Sequence, residues 1–558
     1  MKNIFQVVIL LASFTLVTFF PAIAKTTPQT NVSVGNFDSI SWWLGYAVLQ
    51  ADSVTDPNCK DDVYGWLGRM QARAGDVDGA NTSASAISNM RKRIYVHIAA
   101  AKTSYKKGNI SAYKTSMEQA KAAALSKRSV ESAIFMNSNM ITACLDCNDV
   151  NGAKSYTEIL RDNPEAPKGY HDVQMAYRKI AAYIAWNGNA KDANLVVNDN
   201  IKPSGKDNAL VEIAETCVRK GNLPVAEQFV EQITRVDYKD RVYEKIGVAL
   251  SESGDIKKAN TVAEKITDST LKSSVITAIA KYQITSGDID LGKKTSMDIT
   301  YRDHKIAVYK LIAEKQADAG KIDSAVATIE TMAKMIDDIP MAADKSKFGT
   351  FDDSFKKGVV ETVYLCAAKA SARTGDVENY NKYIAKATEG VKEINDVPIW
   401  KGTIFIRIVD AQLEADDIEG AKKTAKKIKE ERNRSWALFN VVKTQLEKGD
   451  MEGAVTTSKE IMDTMNKSFA CGWIASAFVK KGELAEAKKV LLRLGNSSRE
   501  AEAYRRTATA FVETGYSKEL ANWLNEMPSP QARVYACIGA VDGIMKHRES
   551  RSGSHCEN

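Results

Sequence analysis

The stretch Lys220-Gly-Asn-Leu-Pro-Val-Ala226 decides the fold. A helical run ends on a basic residue. Gly221 and a polar residue make a tight turn, and Ala226 opens a new helix. The same shape returns at Gly75-Asp-Val-Asp-Gly-Ala80, Gly188-Asn-Ala-Lys-Asp-Ala193, Gly254-Asp-Ile-Lys-Lys-Ala259, Gly320-Lys-Ile-Asp-Ser-Ala325, Gly449-Asp-Met-Glu-Gly-Ala454 and Gly482-Glu-Leu-Ala-Glu-Ala487. Weaker copies stand at Gly108, Asn148, Gly287, Gly375, Asp416 and Gly515. Most neighbouring turns are about 33 residues apart, a period that marks a repeat array. Before the turn at Gly221, Leu210, Ile213, Ala214, Cys217 and Val218 fall at helical spacing; after it, Ala226, Phe229, Val230 and Ile233 do the same. Each unit is therefore a pair of helices whose apolar stripe is buried only by stacking on the next pair. The fold class this predicts is all-α: a right-handed α-solenoid of antiparallel helix pairs, about thirteen repeats long, with an elongated outline.

The marks of the repeat are a small residue, Gly seven later, Ala five after that, then a large apolar residue. Ala214, Gly221, Ala226 and Val230 carry them, as do Gly247, Gly254 and Ala259; Ala313, Gly320, Ala325 and Ile329; and Ala475, Gly482, Ala487 and Leu491. In this the chain resembles the tetratricopeptide repeat family over roughly residues 61 to 546, with Leu67-Gly68 nearest to that family's Leu-Gly pair. It departs from the family in its shorter period and in lacking most of the late prolines. The resemblance implies that the first helix of each pair lines a concave groove, with solvent-facing positions ten and six residues before the turn. Those positions give Lys102, Arg178, Lys281, Lys310, Lys369, Lys443 and Arg505, against Glu215, Glu244, Glu314 and Asp410, with Ile98, Trp436 and Phe439 interrupting. Such a groove leans basic and suits an acidic peptide or an envelope polymer.

The rest of the chain frames this array. Met1-Lys-Asn, the apolar run Ile4 to Phe20 and Pro21-Ala-Ile-Ala24 read as a cleavable export signal, with Lys25 as the expected mature start. The expectation is an exported protein, periplasmic or secreted, with no transmembrane segment after cleavage. Residues 25–60 read as a flexible lead-in followed by a capping helix. Its Trp42 and Trp43 allow two readings, a cap over the first repeat or a dock for a partner. Residues 61–527 are the array, interrupted at 338–354, where Phe348 and Phe351 offer a loop contact. A single helix at 528–546 reads as the closing cap, and 547–558 as a tail.

No chemistry declares itself. The net charge is +7 in 558 residues, too mild for nucleic acid to be the expected partner. The five His residues (97, 171, 304, 547 and 555) are scattered, which removes the obvious metal and His-based nucleophile readings. Gly287-Asp-Ile-Asp-Leu-Gly-Lys-Lys-Thr295 is not a phosphate-binding loop, because Lys294 stands where Ser or Thr must follow the Lys. Cys144 and Cys147 form a Cys-x-x-Cys with no second pair to complete a zinc site; a structural role or a local disulfide remains. The sequence thus predicts no enzyme, no cofactor and no metal. It predicts a scaffold for protein partners, with a carbohydrate-binding module or the superhelical part of a cell-wall enzyme as alternatives.

Overall fold

A computed structural model describes residues 36–126, 139–161, 170–337, 364–369, 371–393, 398–494 and 501–553. Among these residues there are helices and turns and no strand. The loop 338–354, with Phe348 and Phe351, and the export signal lie outside the described residues.

The thirteen turn positions read from the sequence are the thirteen described residues with positive φ. Eleven are glycines and the others are Asn148 (φ 52°) and Asp416 (φ 65°). At Gly221 the reason is visible: its N–H donates to Val218 O at 2.9 Å and the Asn222 N–H donates to Cys217 O at 2.8 Å. This closure of a helix end requires a left-handed residue at the glycine position. At most turns the residue after the turn caps the next helix, although Asn222 does not. Asp76, Asp149, Asp255, Asp288, Asp417 and Asp450 each accept from a backbone N–H three residues on.

The helices pack in two ranks. First helices such as Lys206–Arg219, Val236–Glu252 and Ser269–Thr285 pack directly on one another, whereas second helices such as Leu223–Val230 and Ile256–Lys265 pack on first helices. The array therefore curves with the first helices on its inner wall. A polar clamp fixes three of the described steps. Fourteen residues before the turn, Asp61, Asp207 and Asp240 each accept two backbone N–H groups and a hydroxyl from the loop that starts the next unit. Asp240 holds the N–H groups of Thr267 and Asp268 and the Thr267 hydroxyl at 2.6–3.0 Å while itself buried.

The two ends of the array meet. The helix Ile40–Asp52 packs along the helix Pro530–Gly553, and Pro57–Ala74 packs on that same closing helix. One hydrophobic core runs without a break from Val409 through Ile544 and on from Trp43 to Ala100. Arg533 donates to the Gln50 side chain at 3.0 Å, and Arg73 pairs with the buried Asp542 at 2.7 Å. The opening helix stands in the register of a second helix, because Ala47, Val54 and Asp61 keep the spacing of Ala226, Ile233 and Asp240. The closing helix is the first helix that it completes. The two helices expected to cap opposite ends of an elongated rod are thus the halves of one further pair, and the solenoid closes into a ring of fourteen pairs. Each apolar face that would need a cap is covered by the other. At an interaxial spacing of roughly 9 Å the inner helices make a circuit of roughly 130 Å, on the order of 40 Å across between axes.

Trp43 is 0% exposed, its indole N–H donates to Phe37 O at 2.9 Å, and Trp42 stacks on Tyr46 at 5.7 Å. Both Trp residues serve the seam, and the reading of the pair as a partner dock gives way to packing. The helix at the end also runs on to Gly553, into the stretch expected as a tail.

Two outcomes follow. Removing residues 1–52 exposes the seam face of the closing helix, so the melting temperature should fall and the radius of gyration by X-ray scattering should rise; an unchanged radius contradicts closure. Asp240→Ala strands two backbone donors, and urea denaturation should show a loss of about 2 kcal/mol.

Candidate functional site

The inner wall is built from the exposed side of the first helices. The row nine residues before each turn is never buried: Trp66, Ala99, Lys179, Glu212, Lys245, Arg407, Trp473 and Arg506 belong to it. The row ten before, which the sequence placed in the groove, is mostly buried, as Ile98, Val211, Glu244, Thr277 and Phe439 show. Direct packing between neighbouring first helices turns that row into their contact. Ile98 and Phe439 are accordingly core residues, while Trp436 stays 42% exposed.

The predicted cations are on this wall, and most are already neutralised. Lys102 pairs with Asp146 of the next unit at 2.6 Å, and Lys369 with Glu414 at 2.6 Å. Lys310 lies 3.7 Å from Glu314, and Lys443 3.7 Å from Glu447. Arg505 is held by Glu502 at 2.6 Å and by Asp542 at 2.5 Å. These pairs raise the Arg505 guanidinium above its usual range, the Glu502 hydrogen bonds contributing most. The groove read as basic is a lattice of alternating charges, because the acids two residues before the turn sit beside the cations six before. Exposed pairs of this kind contribute roughly 0–1 kcal/mol each, so they set pattern more than stability.

Two predicted residues escape this pairing. Arg178 has its Nε buried and without a hydrogen-bond partner. It lies in the field of Glu212, whose carboxyl is pushed up by burial. Lys281 is exposed and, among the described residues, is not ion-paired. It lines a cavity of about 440 Å³ with Glu244, Val248, Glu252, Ser274, Tyr282 and His304. Ser274 donates to Glu244 at 2.6 Å across the joint between units. This concavity brings together Glu244 and Lys281, which the sequence placed on opposite sides of the charge balance.

Sequence reasoning named Trp436 and Phe439 but missed the aromatic sector to which they belong, which lies either side of the seam. Trp66 is 38% exposed with the Arg69 guanidinium 4.4 Å over its ring, and Arg506 stands 4.4 Å over Trp473. Trp66 meets Tyr535 across the seam at 6.3 Å. Phe439 bridges Trp436 and Phe469 at 5.6 and 6.1 Å. Writing the repeats under one another and reading the rows nine and thirteen before the turn would have found these residues.

Other groups considered for chemistry are structural. Cys144 and Cys147 are free buried thiols, pushed by burial to about 12 and about 11. Among the described residues no cluster of His, Cys, Asp and Glu could hold a metal ion. No described helix is long and apolar enough to cross a membrane. His97 is buried, with Nδ1 2.8 Å from the Asn81 side-chain oxygen. Burial, and then the Arg93 charge, depress it to about 4.

No protein-family model matches the chain, and no curated protein matches it. Among solved structures, the chain is similar to a circular tandem repeat protein with novel repeat topology (12% identity, 93% of this chain and 98% of that one, TM-score 0.15). It is similar to Ton1535 from Thermococcus onnurineus NA1 (14% identity, 79% and 97%, TM-score 0.22). It is also similar to the human IFIT1 dimer with m7Gppp-AAAA (13% identity, 83% and 95%, TM-score 0.22). The described residues form an α-solenoid of stacked helix pairs.

The depressed His97 has a measurable sign. Its folded value lies below the unfolded one near 6.5, so its contribution is complete above pH 6.5. It is lost progressively as the pH falls through 4, to a total of about 3 kcal/mol. Melting temperatures of His97→Gln should fall less steeply than wild type between pH 6.5 and 4; parallel slopes contradict the assignment.

Proposed function

We propose that this protein is an exported, non-catalytic scaffold that holds a partner protein against the inner wall of its ring. One observation carries the reading. The cavity at Lys281 brings an exposed cation, not ion-paired among the described residues, together with Glu244, Glu252, Ser274 and Tyr282, on a wall where most other charges are matched. A concave site with a few convergent polar groups is where a partner's side chain is recognised. The surrounding alternation of charge gives specificity and register more than raw affinity. The export signal read in the sequence at Met1 to Ala24 supports a partner in the periplasm or the exterior, within an envelope assembly.

A pull-down with the purified protein tests this. Wild type should retain one specific protein from an envelope extract, and Lys281→Glu should lose most of it, about tenfold, while circular dichroism stays unchanged. Retention of the same protein by Lys281→Glu, or no specific protein at all, rejects the reading.

A further inference from the structure

The aromatic sector beside the seam is built differently from the rest of the wall. Five successive first helices contribute to it: Glu431–Glu447, Thr464–Lys480, Ala501–Glu513, Pro530–Gly553 and Pro57–Ala74. Their inward groups are Trp436, Trp473, Arg506, Trp66 and Arg69, with the buried Tyr535 packed against Trp66. Tyr95, 46% exposed, continues the row on the next first helix. Between Met175 and Lys369 the corresponding two rows hold no aromatic residue.

Arg69 and Arg506 are the decisive groups. Among the described residues neither is ion-paired, although Asp62 and Glu502 stand nearby in charge. Each guanidinium carbon stands 4.4 Å from an indole centroid, a cation–π contact that restrains the side chain, and Arg69 Nε donates to the Gly65 carbonyl at 2.9 Å. A planar fork held in this way matches a carboxylate with two parallel hydrogen bonds. The Trp faces offer flat apolar area beside each fork, and a pyranose ring presents a face of slightly positive C–H groups to such a negative π-surface. Adjacent first helices are roughly 9 Å apart, which is close to the length of two linked pyranose rings.

A peptide occupant fits less well. An extended peptide needs partners for its backbone amides, and the single amide side chain that the inward rows of this sector offer, Asn440, is engaged by Asp410 at 2.9 Å. We propose that the Trp–Arg sector spanning the seam is a binding site for an acidic polysaccharide, a chain of pyranose rings carrying carboxylates. Because Trp66 and Arg69 lie on one side of the seam and Arg506 and Trp473 on the other, a bound chain bridges the two ends of the array. Binding then stabilises the closed ring by mass action. The proposal does not depend on the Lys281 cavity, which lies in another part of the ring.

The test is calorimetric titration of the full-length protein with a decamer of galacturonic acid and with its fully methyl-esterified form. Wild type should bind the acid and bind the ester at least about tenfold more weakly, the loss expected for one charge-assisted bidentate contact. Arg69→Gln with Arg506→Gln should bring acid and ester to the same weak affinity. Trp436→Ala should weaken both, and Lys281→Gln should change neither. The acid should also raise the melting temperature of wild type and not that of the protein lacking residues 1–52. Equal affinity for acid and ester, full binding by the double Arg variant, or tighter binding of poly-glutamate or oligo-uridylate overturns the proposal. If the double variant loses helical content, Arg69→Lys with Arg506→Lys keeps the charges and removes the forks, and an unchanged affinity there overturns it as well. A protein partner lost on Lys281→Glu with galacturonate binding intact shows that the two readings stand or fall separately.

Discussion

No helix pair in this protein can bury its own apolar stripe, and the rest of the structure depends on that constraint. A pair joined at a left-handed turn has one face finished and one face open. The next pair closes it and opens another. A linear array ends on an unsatisfied face at each end and must spend a polar cap there. This chain presents the two open faces to each other. The result is a core that continues through the seam, from Ile544 to Trp43, with no change in kind.

The turns were legible in the sequence because the backbone conformation they need is chemically restrictive. Each left-handed position admits Gly readily and Asn or Asp at some cost, so Asn148 and Asp416 could be placed by register alone. The closure was harder to read. Its signal was present in Ala47, Val54 and Asp61, which repeat the spacing of Ala226, Ile233 and Asp240. A lone helix before the first repeat and another after the last nevertheless look like two caps when each is taken by itself. Contact between residues more than 450 positions apart, such as Arg73 with Asp542, leaves no local trace.

The inner wall was legible in composition and not in detail. The cations were placed on the right helices, but a single register position separates a buried row from an exposed one. Nothing in the residue types of Phe439 and Trp436 says which of them lies between helices. The neutralising acids were equally visible in the sequence. Their effect was missed because Glu414 lies 45 positions from Lys369 and Asp146 lies 44 from Lys102. For these two cations the balancing acid sits on the next repeat, so counting charges along one helix misjudges them.

The split pair has a topological consequence. Every other pair in the ring is joined by a peptide turn, whereas Ile40–Asp52 and Pro530–Gly553 are held only by side-chain contacts. The architecture is therefore indifferent to where the polypeptide begins. A chain with its ends joined by a linker and cut instead at the turn of Gly254 would have the same neighbours throughout, with the uncovalent joint moved to a new place on the circle. Under mechanical load the ring has one defined point of parting, the joint between Ile40–Asp52 and Pro530–Gly553.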